Sequence, residues 1–294
     1  MGGTAFVMLV GGGAAALNRA FTLADHCEQL WSRFLPRSDL TRLNWADGRA
    51  VEVDPLTIRL ITAMTDAREL TGGDYDPTLL PDLLAAGYRA SVLDPDRVST
   101  LPDSARAPGN LPAIVIEGNT VRLPAGTTLD AGGIGKGFAA DLVCEAALAA
   151  GCWGALAEIG GDIVVAGQAP DGIAWRLGIE NPLPGLGSDA EHAAIVRLAS
   201  GALVTSSQRK RRWASGSGDR HHLIDPRTHD SAISRIQTVS VIAATGARAE
   251  ALTKPGFVRD TPAYLDWLPT VGAAGLVIAD TGAGFSSVNW EQYR

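Results

Sequence analysis

Leu129-Asp-Ala-Gly-Gly-Ile-Gly-Lys-Gly-Phe-Ala-Ala-Asp141 places four glycines and one lysine directly before an alanine-rich run. Gly132, Gly133, Gly135 and Gly137 remove side chains where a backbone must turn sharply or lie close to another group. Lys136 puts a charge into that bared turn. Phe138 to Ala150 then predicts a helix with Leu142, Ala146 and Ala149 on one side. Free N–H groups and the helix dipole at such a start favour negative charge. The stretch therefore reads either as a cradle for a phosphate-bearing ligand or as a plain turn ahead of a packed helix. The common phosphate motifs do not fit: Asp130 stands where a Walker loop has its first glycine, and Gly137 where it has Ser or Thr. The dinucleotide fingerprint fails at Phe138, which takes the place of its third glycine.

The chain has 294 residues, 46% hydrophobic and 19% charged, so a sizeable core is available and the composition argues against global disorder. A net charge of −7 argues against broad nucleic-acid binding. The basic run Arg209-Lys-Arg-Arg212 is short, and reads as a solvated loop or a local anion contact. Cys27, Cys144 and Cys152 form neither a metal spacing nor a disulfide framework, which fits a reducing compartment. No apolar stretch approaches the roughly 20 residues that span a bilayer. The segment from Met1 to Val10 lacks the positive start and cleavage pattern of a signal peptide and reads as a first strand. A cytoplasmic location is expected.

Strand-like and helix-like stretches alternate without a long linker. Helices are expected over Ala14 to Phe34 and Leu56 to Leu70, the second capped by Asp54 with Pro55 at its first position. Asp94 to Leu111 reads as an irregular crossing. Ala113–Ile116 and Thr120–Leu123 flank Glu117-Gly-Asn119 as a hairpin. Short strands follow over Gly154–Ile159, Ile163–Ala166 and Trp175–Ile179. Ala194–Leu198 and Ala202–Ser206 suggest another hairpin across Ser200-Gly201. Thr238–Ala244 reads as a strand, Ala247–Thr253 and Pro262–Leu268 as helices, and Gly275–Asp280 as a closing strand. Helices grouped between runs of antiparallel-looking strands favour an α+β fold.

Polar motifs punctuate the loops: Ser38-Asp-Leu-Thr-Arg-Leu-Asn44, Gly73-Asp-Tyr-Asp-Pro-Thr78, Gly160-Gly-Asp-Ile163, Thr205-Ser-Ser207 and His221-His-Leu-Ile-Asp-Pro-Arg227. Each alone has a plain structural reading as a turn or strand end. In order, together with Met1-Gly2, Trp175-Arg-Leu-Gly-Ile-Glu-Asn-Pro182 and the glycine turn, they resemble the ApbE-like family of FAD:protein FMN transferases over nearly the whole chain. The resemblance implies an α+β fold of mixed or antiparallel sheets packed against helices. It also implies one domain over 1–294, or two closely packed subdomains. The implied activity splits the pyrophosphate of FAD, releases AMP and attaches FMN to a Ser or Thr hydroxyl of an acceptor flavoprotein. The alternatives are hydrolysis of FAD to FMN and AMP, or a flavin-nucleotide binder without transfer.

By the same resemblance, Met1, Phe34, Ser38, Asn44, Asp76, Gly132, Gly133, Lys136, Asp162, Ser206 and His222 belong to the FAD site. Lys136 and His222 are the candidate catalytic residues, His222 for proton transfer. The family's magnesium is held by an Asp, a Thr four residues later and a carbonyl of the glycine turn. Here the segment is Ala249-Glu-Ala-Leu-Thr-Lys-Pro255, so Gly135 and Glu250 are the remaining candidate ligands and Lys254 replaces the Thr. Thr253 falls one residue early, about 100° around a helix. Either Glu250 still ligates a metal while Lys254 turns outward, or Glu250 and Lys254 pair at i and i+4 where the metal should be, with Lys254 then a fixed cation for the phosphates. The second reading is preferred, and weak or absent magnesium binding follows from it. Glu158, Ser207 and the doubled His221 are further departures from the family pattern.

Overall fold

The computed structural model describes residues 3–183, 192–209, 211–215 and 218–294. Met1 and Gly2, and Lys210 of the basic run, lie outside them. Seven α-helices occur among the described residues: α1 (Ala14–Trp31), α2 (Asp39–Ala46), α3 (Pro55–Leu70), α4 (Leu80–Ala85), α5 (Gly135–Ala149), α6 (Gly246–Leu252) and α7 (Thr261–Trp267). None is long and apolar enough to cross a membrane. The chain divides into two compact units. One is built mainly from Asp25–Gly135 and Arg211–Ala232, the other from Thr4–Ala24, Lys136–Lys210 and Ile233–Arg294.

The first unit is mainly helical. Asp54 caps α3 by accepting the Leu56 N–H at 2.8 Å, and Pro55 follows at the first helical position, as the sequence predicts. Leu60, Ile61 and Met64 of α3 are fully buried, as are Cys27 and Trp31 of α1 and Leu40 and Leu43 of α2. A buried carboxylate joins these helices. Asp39 of α2 accepts from Thr57 Oγ1 and from the Asp54 N–H, both at 2.8 Å, while Trp31 Nε1 donates to Thr57 Oγ1 at 3.2 Å. Ser38 to Asn44, read from sequence as a loop motif, is instead the start and body of α2. Ser38 is its N-cap, and accepts the Thr41 N–H at 3.1 Å. The hairpin Val115–Glu117 and Thr120–Arg122 forms as expected, with Val51–Glu52 added beside it.

The second unit is built on a seven-stranded sheet in the order Ala5–Val10, Gly154–Ile159, Asp162–Gly167, Gly201–Ser207, Ile236–Ala243, Ala274–Ala279 and Gly284–Ser286. Every neighbouring pair is antiparallel. Trp175–Glu180 and His192–Leu198 form a separate ribbon whose inward residues Trp175, Leu177, Ile179, Val196 and Leu198 share a core with Leu203 and Ile242.

Two strand expectations are corrected. Ala194–Leu198 does not form a hairpin with Ala202–Ser206. Ala202, Leu203 and Val204 are buried in succession, so that strand is covered on both faces and has strand neighbours on both sides, which a hairpin would not supply. Gly275–Asp280 does not close the sheet, because Gly284–Ser286 pairs outside it.

Helix α5 starts at Gly135, three residues before the run predicted from sequence. Its buried residues include Ala139, Ala140, Val143 and Ala147, while Ala146 and Ala149 are exposed, so the apolar side expected from sequence is rotated. A Cβ on Gly137 would run into the Gly246 carbonyl, and one on Gly246 into the Gly137 carbonyl. Both glycines are therefore needed for backbone contact between the first turns of α5 and α6.

Asp141 completes that junction by accepting the Gly246 N–H at 2.6 Å and the Ala247 N–H at 2.9 Å. Burial pushes its carboxyl up to about 6, against the pull of those two N–H groups. The folded value lies above the unfolded one, so the folded state favours the protonated acid. The contribution is full below about pH 4 and is lost as pH rises through about 6. The urea-unfolding free energy of the wild type, relative to Asp141→Asn, is expected to fall by about 2–3 kcal/mol between pH 4 and pH 7. A pH-independent difference would refute this account.

Candidate functional site

In the first unit the glycine turn is closed by the Gly135 N–H donating to the Ala131 carbonyl at 2.8 Å, with Gly133 at φ +91°. A Cβ on Gly132 would sit 2.5 Å from Asp130 Oδ2. Asn44 anchors the loop segment that leads in: its Nδ2 donates to the Leu129 carbonyl at 2.8 Å and its Oδ1 accepts the Leu129 N–H at 2.7 Å. Asp76 accepts the Thr78 N–H at 2.8 Å and pairs with Arg68 at 2.9 Å. Ser38, Asn44 and Asp76 thus spend these polar atoms on the backbone and side chains that shape the loops.

Phe34 belongs to a ring cluster that the sequence did not reveal. It meets Tyr88 edge-on at 6.1 Å, and Tyr88 stacks on Trp213 at 5.7 Å. The Arg33 guanidinium lies 4.2 Å from the Phe34 centroid and 4.7 Å from that of Tyr88. Arg33 also donates to the Tyr88 carbonyl at 2.9 Å and lies 3.5 Å from Asp130. Burial lowers the Arg33 pKa, opposed by Asp130. Arg33 Nη1 and Thr128 Oγ1 are buried without a hydrogen-bond partner among the described residues.

The two histidines of the doublet differ. His221 is buried, with Nε2 3.0 Å from the Ala232 carbonyl and Nδ1 accepting the Leu223 N–H at 3.3 Å. These partners select the neutral Nε2–H tautomer, and burial lowers its pKa. His222 is half-buried.

In the second unit, Lys136 of α5 pairs with Asp162 and, at 3.0 Å, with Glu250 Oε1. Asp162 follows the Gly160-Gly161 turn and is 1% exposed, which makes its pairing with Lys136 electrostatically strong. Glu250 Oε2 accepts the Gly137 N–H at 2.9 Å. Burial works against the Lys136 ammonium, but Asp162 and Glu250 outweigh it and raise its pKa. Burial, joined by the nearby Glu250 charge, drives Asp162 up despite Lys136. Burial also opposes ionisation of Glu250, yet Lys136, Lys254 and the Gly137 N–H together hold it down.

Ser206 and Thr253 hydroxyls lie 2.7 Å apart, and Lys254 Nζ donates to Ser206 Oγ at 2.9 Å, Thr253 Oγ1 at 3.0 Å and the Glu250 carbonyl at 3.1 Å. Lys254 therefore turns inward, not outward. The Glu250 carboxylate turns to Lys136 and Gly137, so the pair expected between Glu250 and Lys254 alone is replaced by a four-charge cluster. Thr253, one residue early in sequence, joins the same cluster because it ends α6.

This donor set does not fit magnesium. Mg²⁺ needs closely spaced oxygen lone pairs in near-octahedral array. Here the Glu250 carboxylate, the Ser206 and Thr253 hydroxyls and the Glu250 carbonyl already face N–H donors.

A buried lysine–carboxylate cluster thus sits at the start of a glycine-led helix, on an α+β scaffold. A family model described as ApbE family matches residues 1–276, and the chain belongs to that family. It is similar to the FAD:protein FMN transferase of Treponema pallidum (strain Nichols), with 32% identity over 260 residues, covering 83% of this chain and 71% of that protein. The protein of the same name from Vibrio cholerae is 27% identical over 225 residues, covering 75% of this chain and 66% of its own length. Among solved structures, the ApbE protein of Thermotoga maritima superposes with a TM-score of 0.79 at 24% identity, covering 98% of this chain and 95% of that one. The apo flavinyl transferase ApbE of Pseudomonas stutzeri gives 0.78 at 22% identity, with 98% and 96% covered. At those identities the likeness establishes the fold, and it bears out the α+β expectation.

Proposed function

We propose that this chain transfers the FMN half of FAD to a Ser or Thr hydroxyl of an acceptor flavoprotein, with residues 1–294 working as one functional domain. The buried Lys136–Asp162–Glu250 cluster carries the reading, in a chain whose relatives bear the name FAD:protein FMN transferase. In this reading the acceptor oxygen forms a bond to the phosphorus of the FMN half. The P–O bond to the AMP half breaks, and its electron pair leaves with AMP. The hydroxyl proton passes to His222 and on to solvent.

Lys136 compensates charge on the phosphate oxygens, and Asp162 and Glu250 hold its ammonium in place. Phe34, with Tyr88 and Trp213, offers flat faces for an aromatic ring. Gly132 and Gly133 leave the turn open to close approach, and Asn44 and Asp76 fix the loops around it. Ser206 contributes its hydroxyl beside Lys254. No step is assigned to a metal.

The test is incubation of the full chain with FAD and a threonine-bearing acceptor domain, read by intact mass. The expected result is an acceptor heavier by one FMN moiety, with AMP released. FAD binding with neither an adduct nor AMP would overturn the transfer reading.

A further inference from the structure

Lys254 follows Glu250 by one helical turn, and three acceptors hold its ammonium: Ser206 Oγ, Thr253 Oγ1 and the Glu250 carbonyl. A lysine tail carries large rotamer freedom, so fixing it at a partly buried position requires a compensating interaction. Asp162 and Glu250 bring carboxyl groups to the cluster, and Lys136 and Lys254 bring ammonium groups. A divalent cation would have to displace the N–H donors from the oxygens it needs. A phosphate anion arriving beside Lys136 would be attracted by two ammonium groups already held in place.

We propose that the Lys254 ammonium is the chain's built-in cation for the substrate's diphosphate, so that FAD is bound and cleaved without a divalent metal. The proposal rests on the flavin-transfer reading above. Lys254 acts at short range through its charge, alongside Lys136, in the way a bound metal ion acts when it neutralises phosphate oxygens.

FAD affinity of the full chain, measured by fluorescence quenching in EDTA and again in millimolar MgCl₂, needs no variant. The two values are expected to agree within about twofold, and calorimetric titration of MgCl₂ into the wild type should give no micromolar binding. Lys254→Met should weaken FAD binding in EDTA by about tenfold or more, and Lys254→Arg should restore most of it. Lys254→Thr removes the ammonium and leaves a hydroxyl, so its FAD affinity should rise on adding MgCl₂. Thermal melts establish that each variant is folded.

Wild-type FAD binding that requires MgCl₂ would overturn the proposal and leave the flavin reading standing. So would micromolar magnesium binding lost in Glu250→Ala, or a folded Lys254→Met with wild-type affinity in EDTA. No FAD binding by the wild type in any buffer would sink the flavin reading itself, and the proposal with it.

Discussion

Lys136→Met is expected to destabilise the second unit by about 3–5 kcal/mol, the loss typical of removing one partner from a buried ion pair. Asp162 and Glu250 are 1% and 2% exposed at their side chains, and both take Lys136 as a partner. Methionine keeps the apolar stem and removes the charge, so the two carboxylates face each other with Lys254 as the remaining cation of the cluster. Urea denaturation should register the loss as a lower midpoint. Adding Asp162→Asn to Lys136→Met removes one of the stranded charges and should recover about half of the stability or more.

FMN transfer separates from this effect. The double variant should remain about 10²–10³-fold slower than the wild type, because neither change returns a cation to the phosphate oxygens. Lys136→Met unfolding within about 0.5 kcal/mol of the wild type would refute the buried-cluster account. Recovery of transfer in the double variant would show that Lys136 is structural only.

Much of the fold was legible because local signals agreed with each other. Asp54, Pro55 and Gly72-Gly73 bracket α3, and the strands with turn residues at both ends stand where they were expected. Signals failed where tertiary contact overrode propensity. Gly137 is a poor helix former, yet it lies in the first turn of α5, because that turn must touch the backbone of α6. Helix α2 was hidden because its eight residues mix polar and apolar types too evenly for a period to show.

Lys136, Asp162 and Glu250 were found from the order of motifs along the chain, since no spacing rule links three residues so far apart. The ring cluster had no such order to follow: Arg33, Tyr88 and Trp213 come from separate segments, and none carries a motif of its own. The hydroxyl partners of Lys254 were also out of reach. Helical spacing correctly places it near Glu250, but only the three-dimensional arrangement shows that Lys136 and Gly137 have already taken the carboxylate.

His221 and His222 should separate cleanly under substitution. Sequence offers two adjacent imidazoles and no way to rank them beyond the match of His222 to the family pattern. In the structure His221 is locked between the Ala232 carbonyl and the Leu223 N–H, so both of its ring nitrogens are occupied. Protonation would set a second N–H against the Leu223 donor, and burial lowers its pKa. Its share of stability is therefore present above its ordinary pKa and lost as pH falls through the lowered folded value. A residue held in this way cannot pass a proton during turnover.

His221→Ala is expected to cost about 1–3 kcal/mol by leaving two buried backbone groups without partners. Transfer per folded molecule should be little changed. His222→Ala should act on turnover, with transfer slower by about 10²–10⁴-fold, the range for loss of a general base. FAD affinity should stay within a few-fold in both variants, which separates chemistry from binding. If His222→Ala transfers FMN at the wild-type rate, the proton leaves by another route and His222 loses its assigned role. A His221→Ala variant that is stable but inactive would reverse the assignment of the pair.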